Sequence, residues 1–87
     1  MKYKVLIVED EEVIANTIKK QLESWNMEAD CVEDFHNVLG KFVDYEPQLV
    51  LMDISLPSQN GFHWCQEIRK VSKVPIIFLS SMSDNMN

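Results

Sequence analysis

Asp53 closes the apolar run Leu49-Val50-Leu51-Met52, and a second run, Val5-Leu6-Ile7-Val8, closes in Glu9-Asp10. A third, Ile76-Ile77-Phe78-Leu79, leads into Ser80-Ser81. Short unbroken apolar runs read as strands covered on both faces, so the polar residues that end them fall at the rim of a sheet. Carboxylates crowded at one rim repel, and each resists ionisation unless something compensates. A divalent cation is the compensation that fits, and Mg²⁺ is favoured as a hard ion that takes oxygen ligands and bridges to phosphate oxygens. The backbone carbonyl of Ser55 is a natural further ligand, because the chain must turn there. Asp53 is ionised at neutral pH and needs no general base to attack phosphorus. Catalysis then consists mainly of positioning and of neutralising charge on the transferred group. A hydroxyl at Ser80 is placed to donate to a phosphoryl oxygen and so to report whether Asp53 is modified. Taken singly, Glu9-Asp10-Glu11-Glu12 also reads as an acidic helix start and Ser80-Ser81 as an ordinary loop. Their recurrence after three apolar strands is what points to a site.

The elements that must position these groups alternate in type. A strand over residues 4–8 precedes a helix whose acidic start suits the helix dipole and whose apolar positions are Ile14, Ile18, Leu22 and Trp25, with an end near Asn26. A short strand over 28–32 follows, then a helix over 35–43 with Phe35, Val38, Leu39 and Phe42 on one stripe and Gly40 within it. After the strand 49–52, the turn-rich segment Leu56-Pro57-Ser58-Gln59-Asn60-Gly61 is a loop. A third helix, 61–70, is expected to bury Phe62, Cys65 and Ile68, and Pro75 opens the last strand. The order βαβαβαβ with short connections implies a parallel sheet with helices on both faces. Such sheets bind ligands beyond the carboxyl ends of their strands, at the switch point in strand order.

Composition narrows the function classes. Eighty-seven residues make one domain at most, burying roughly 60–65% of the surface of the unfolded chain. Fourteen acidic against eight basic side chains give a net charge of −6, which disfavours non-specific nucleic-acid binding. The apolar runs fall far short of the ~20 residues of a membrane-spanning helix. Acidic residues from Glu9 onward interrupt the N-terminal apolar stretch too early for a signal peptide. Cys31 and Cys65 read as two buried reduced thiols, with one disulfide as the alternative. His36 and His63 belong to no metal-binding spacing and read as surface or partly packed residues.

The pattern V-L-I-V-E-D-E near the N-terminus, L-V-L-M-D-I-S-L-P-x-x-x-G in the middle and V-P-I-I-F-L-S-S near the end resembles the receiver domain of two-component response regulators. The resemblance spans essentially the whole chain. It implies a flavodoxin-like doubly wound α/β sheet over residues 1–87, a cytoplasmic signalling module rather than an enzyme, and a phosphoryl group taken from a sensor histidine kinase. By the same resemblance Asp53 is the phosphoacceptor. Glu9, Asp10, Asp53 and the Ser55 carbonyl hold Mg²⁺, Ser80 is the switch hydroxyl, and Pro57 and Gly61 shape the loop after the acceptor. The Glu-Asp pair is similar to that of regulators carrying a winged-helix DNA-binding domain, so DNA is an expected target only through a domain not in this chain. The stretch F-H-W-C-Q-E-I-R further resembles regulators of antimicrobial-peptide resistance in Gram-positive bacteria.

The family pattern continues past Ser80 with a helix, a strand ending in a Lys, and a last helix, none of which has a counterpart here. Lys70 and Lys73 cannot stand in for that Lys, since they precede the last strand and so lie at the opposite edge of the sheet. The chain is therefore expected to be a fragment of a longer regulator or to associate, as a homodimer or through the unpaired edge of its last strand. Two other readings remain open. One is a receiver-like interaction domain that is never phosphorylated. The other is a metal-dependent phosphatase, which would usually carry a second carboxylate two residues after its nucleophile, where this chain has Ser55.

Overall fold

The computed structural model describes residues 2–79, so Ser80 and its expected role lie outside the described residues. Seven elements follow in the expected order: β1 (Lys4–Val8), α1 (Glu12–Ser24), β2 (Glu28–Cys31), α2 (Val38–Tyr45), β3 (Leu49–Asp53), α3 (Gly61–Arg69) and β4 (Ile76–Leu79). All strand pairs are parallel, in the order β2-β1-β3-β4. The chain leaves β1 for β2 on one side and then crosses to β3 on the other, which makes the β1/β3 boundary the switch point.

The continuous apolar run of β1 is needed because its side chains alternate between two cores. Leu6 and Val8 face one cluster with Val32, Val38, Phe42, Val50, Met52, Trp64 and Ile68, contributed largely by α2 and α3. Val5 and Ile7 face the other, with Ala15 and Leu22 of α1 and Ala29 of β2. All four of these β1 residues are completely buried, each contributing roughly 1.5–3 kcal/mol by removal from water.

The helices sit slightly differently from their sequence-predicted faces. In α1 the inward residues are Ala15, Leu22 and the partly buried Ile18, while Ile14 and Trp25 of the expected stripe are exposed. The helix ends as expected, with Asn26 in the left-handed conformation (φ 65°) and Met27 N–H donating to the Leu22 carbonyl, a Schellman-type stop. The second helix begins at Val38 rather than Phe35. The Asp34 carboxylate accepts from His36 N–H at 2.9 Å, and Asn37 N–H donates to the Asp34 carbonyl. This turn competes with helix, and the Asn37 side chain then caps α2 through Gly40 N–H at 3.1 Å. Phe35 still packs on the core from the turn. The helix stops at Glu46 (φ 54°), ahead of Pro47, where αR is disfavoured before the ring.

The largest departure is in α3. Gly61, Trp64 and Ile68 are its buried residues, Cys65 is half-buried, and Phe62 is 51% exposed. A Cβ on residue 61 would run into the Asp53 carbonyl oxygen, so Gly61 is where α3 approaches β3 most closely. That contact turns the 61/64/68 stripe toward the sheet. Phe62 instead meets Phe78 of β4, with ring centroids 4.9 Å apart. Both cysteines are free thiols.

The expected edge is present among the described residues: β4 pairs only with β3, and Ile77 and Phe78 are exposed. Val13 and Ile14 at the start of α1 are exposed as well. No described helix is long and apolar enough to cross a membrane.

The rotated α3 face gives a direct comparison by urea denaturation. Trp64→Ala is expected to cost about 3–5 kcal/mol, the usual penalty for emptying a core aromatic site. Phe62→Ala should cost only about 1 kcal/mol, the scale of one partly exposed aromatic pair. Equal losses would contradict the observed face.

Candidate functional site

β1 and β3 are neighbours in register, with Val8 opposite Met52. The next residues, Glu9 and Asp53, therefore emerge side by side at the carboxyl edge. Asp10 comes one residue later, at the surface. One carboxylate oxygen from each of Glu9, Asp10 and Asp53 lies within 4.8 Å of the others. Glu9 and Asp53 are both buried, whereas Asp10 is exposed. The pair Glu9 and Asp10 also borders a cleft of about 420 Å³, between the start of α1 and Glu33 and Phe35.

Among the described residues, few donors answer these charges. Glu9 Oε2 accepts from Glu11 N–H at 3.1 Å, and Asp53 Oδ1 accepts from Ser55 N–H at 3.3 Å. Burial pushes the Glu9 carboxyl above its ordinary value; the charges of Asp53, Asp10 and Glu11 add to that, and the Glu11 N–H offsets part of it. Burial likewise raises the Asp53 carboxyl, with Asp10 adding to the shift and the Ser55 N–H opposing it. The cluster thus carries more negative charge than the protein around it neutralises.

Oxygens on a small octahedral cation lie roughly 3 Å apart when adjacent and about 4 Å apart when opposite, given metal–oxygen distances near 2.1 Å. The three carboxylates need only a small contraction to reach that spacing. They are hard, anionic and partly open to solvent, the donor set that Mg²⁺ takes while keeping several waters. Of the other expected site residues, Ser55 is placed beside Asp53 by its N–H contact. Pro57 lies in the loop between β3 and α3, accepting from Gln59 N–H, and Gly61 N–H donates to the Ile54 carbonyl at 2.9 Å, closing that loop. Lys70 and Lys73 precede β4 and so lie toward the opposite edge of the parallel sheet; Lys70 is paired with Glu67 at 2.9 Å. Asn60 was not singled out in the sequence, yet its side chain caps α3 by accepting from His63 N–H at 3.0 Å. An Asn directly before a helical apolar stripe was the available signal.

Stability should respond to this site in two ways. Asp53→Asn should raise the melting temperature at neutral pH, because it removes a buried charge that the fold disfavours. A carboxyl whose folded pKa is raised binds protons more readily folded than unfolded. Stability from Glu9 and Asp53 should therefore grow as pH falls from neutral toward their ordinary values of 4.5 and 3.8, and the Asn variant should lose the Asp53 part of that gain. Gly61→Ala should destabilise by about 1–3 kcal/mol, the usual cost of overpacking, seen as a lower denaturation midpoint. A melting point unchanged by Gly61→Ala would mean that the close approach to Asp53 is not enforced.

Comparison with known proteins places this geometry in a family. The response regulator receiver domain family matches residues 5–87. Response regulator protein GraR of Staphylococcus aureus (strain Newman) is 41% identical over 83 residues, covering 95% of this chain and 37% of the relative. The chain thus spans just over a third of the length of the curated relatives it matches. Among solved structures, the N-terminal domain of the nisin resistance regulator NsrR, a lantibiotic response regulator, superposes with a TM-score of 0.86 at 40% identity, covering all of this chain and 74% of that one. The BeF3-activated receiver domain of Klebsiella pneumoniae RstA gives 0.85 at 28% identity, over 97% of this chain and 72% of that one. A three-carboxylate cluster at the switch point of a parallel sheet, matched over nearly the whole chain, shows that this protein belongs to the response regulator receiver domains, whose general role is to accept a phosphoryl group.

Proposed function

We propose that Asp53 is the phosphoryl acceptor of this chain and that Glu9, Asp10, Asp53 and the Ser55 carbonyl hold Mg²⁺ around it. The observation that carries this reading is the convergence of the three carboxylates within 4.8 Å at the β1/β3 switch point. An Asp53 carboxylate oxygen attacks the phosphorus of a phosphohistidine on a sensor histidine kinase. The new O–P bond forms as the N–P bond breaks, and the leaving imidazole nitrogen takes its proton from solvent. The protein transfers the group to itself and is the reaction's product. When bound, Mg²⁺ supplies neutralisation of the charge on the transferred phosphoryl oxygens. The chain's own residues do the positioning: Ser55 N–H donates to Asp53 Oδ1, and Gly61, having no side chain, leaves room for the Asp53 carbonyl against the start of α3.

Ser80 keeps its expected role as the hydroxyl that senses the modification, on the sequence pattern alone. Control of transcription through a DNA-binding domain in a longer protein is supported by the likeness to GraR and NsrR, both response regulators. The exposed β4 edge and the start of α1 are consistent with a homodimer or another partner covering them. The intact carboxylate cluster speaks against a receiver-like domain that never carries phosphate.

The test is incubation with Mg²⁺ and acetyl phosphate, read by intact mass. In the longest protein that carries this chain, one added phosphoryl group is expected, with none on Asp53→Asn and none when chelator removes the metal. Mg²⁺ should also raise the melting temperature, by about 2.7 kcal/mol of stability at one hundred times its dissociation constant. A phosphoryl group that persists in Asp53→Asn would remove Asp53 from the role.

A further inference from the structure

The loop over residues 54–60 carries Ser55 and is secured at both ends. Ser55 N–H holds Asp53 Oδ1 at one end, and Gly61 N–H holds the Ile54 carbonyl at the other. Its middle is different. Pro57, Ser58, Gln59 and Asn60 are all exposed, and the local bonds, Leu56 N–H to Ile54 and Gln59 N–H to Pro57, span only two residues each. Ser58 sits at φ 69°, a left-handed conformation that costs a side-chain-bearing residue energy and so persists only where surroundings impose it. Beyond the bonds to the adjoining β3 and α3, one side-chain hydrogen bond among the described residues ties this loop to a distant part of the chain: Ser58 Oγ to His36 Nδ1, at 3.3 Å.

His36 is a firm anchor for that contact. Its own N–H is bound to the Asp34 carboxylate at 2.9 Å, the neighbouring Asn37 caps α2, and Phe35 packs on the core. The ring alone projects from a braced turn. The hydroxyl can donate to a bare Nδ1 or accept from a protonated one, so the bond forms in either tautomer. An exposed bond of this length adds little to global stability. Its effect is local, on the freedom of the segment that carries the Ser55 carbonyl.

We propose that His36 and Ser58 are positioning residues: their hydrogen bond clasps the acceptor loop to the turn before α2 and thereby holds Ser55 in place beside Asp53. The inference rests on the reading of Asp53 as phosphoryl acceptor. It adds a function for a histidine outside the carboxylate cluster.

Three variants separate the clasp from the backbone strain. Ser58→Ala removes the hydroxyl and keeps the costly conformation. Ser58→Gly removes the hydroxyl and makes that conformation easy. His36→Phe keeps a ring and removes the nitrogen. The first measurement is hydrogen exchange in the metal-free protein, followed by mass spectrometry over peptides spanning 54–61. Ser58→Ala and His36→Phe should each speed exchange there by about two- to tenfold, the change expected for losing one modest hydrogen bond. Exchange in β1 and the melting temperature should stay put. Ser58→Gly should speed exchange as well, since relief of strain does not restore the clasp.

The second measurement is the acetyl phosphate reaction at saturating Mg²⁺, in the longest protein that carries this chain. The clasp variants should lower the maximal rate by a similar factor and leave the apparent KM for acetyl phosphate unchanged. Loop exchange within the error of the unaltered protein in both Ser58→Ala and His36→Phe overturns the proposal. Loss of protection with an unchanged phosphorylation rate also overturns it, reducing the contact to local structure. If the unaltered protein takes no phosphoryl group, the acceptor reading fails, and the positioning role falls with it; accelerated exchange would then leave only the loop contact.

Discussion

The structure depends on the crowding of negative charge at one point. Glu9 and Asp53 are buried beside each other, Asp10 adds a third carboxylate, and among the described residues a few backbone N–H groups, those of Glu11, Ile54 and Ser55, answer them. Like charges at this spacing raise one another's cost of ionisation, and burial adds to it. The fold carries that cost because β1 and β3 are the two central strands. Val8 and Met52, the residues just before the carboxylates, are completely buried. Hydrophobic burial along two strands therefore holds in place groups that would separate if free. The proposed site for a cation, and for the phosphoryl group that a cation helps to neutralise, rests on that repulsion.

The remaining elements serve this edge in different ways. The approach of α3 to β3 is set by the absence of a side chain at Gly61, whose backbone lies against the Asp53 carbonyl. That single contact decides which stripe of α3 is buried, and it ties the helix to the residue proposed to be modified. The edge strand β2 is secured by a different kind of contact. Lys41 of α2 pairs with Asp30 of β2 at 2.6 Å, and Asp30 also accepts from its neighbour's N–H. Burial alone would raise the Asp30 carboxyl, but these contacts outweigh it and hold it below its ordinary value. Asp30 is thus a carboxylate with a cationic partner, whereas Glu9 and Asp53 have none among the described residues. The contrast separates an acidic group that fastens structure from the acidic groups proposed to bind.

Much of this was legible in the residues. Short unbroken apolar runs such as Val5–Val8 and Leu49–Met52 read as strands covered on both faces, and the residues that end such strands sit at the rim. Strand alternation with helices leaves few topologies other than a doubly wound parallel sheet, so the neighbourhood of Glu9, Asp10 and Asp53 could be inferred before any coordinates. A helix end was also readable where a residue has one strong local preference, as at Asn26. The start of α2 was less so. Asp34 and Asn37 each have side chains that bind nearby backbone, and periodicity does not register that competition, so the apolar Phe35 was drawn into a helix it only abuts.

What the sequence determined by itself is therefore the order of elements and the chemistry at their ends, since both arise from local pattern and the two-faced burial of strands. Tertiary structure decided which side of each helix turns inward. Phe62, Cys65 and Ile68 fit one helical stripe, and Gly61, Trp64 and Ile68 fit another that shares Ile68. Periodicity alone does not choose between them. The choice is made by the contact of Gly61 with the Asp53 carbonyl, a steric fact between residues eight positions apart that no single segment contains. The meeting of His36 with Ser58 is of the same kind. Two exposed polar residues on separate loops have no mark in the sequence that pairs them, and only the packing of α2 and α3 on one face of the sheet brings their loops together.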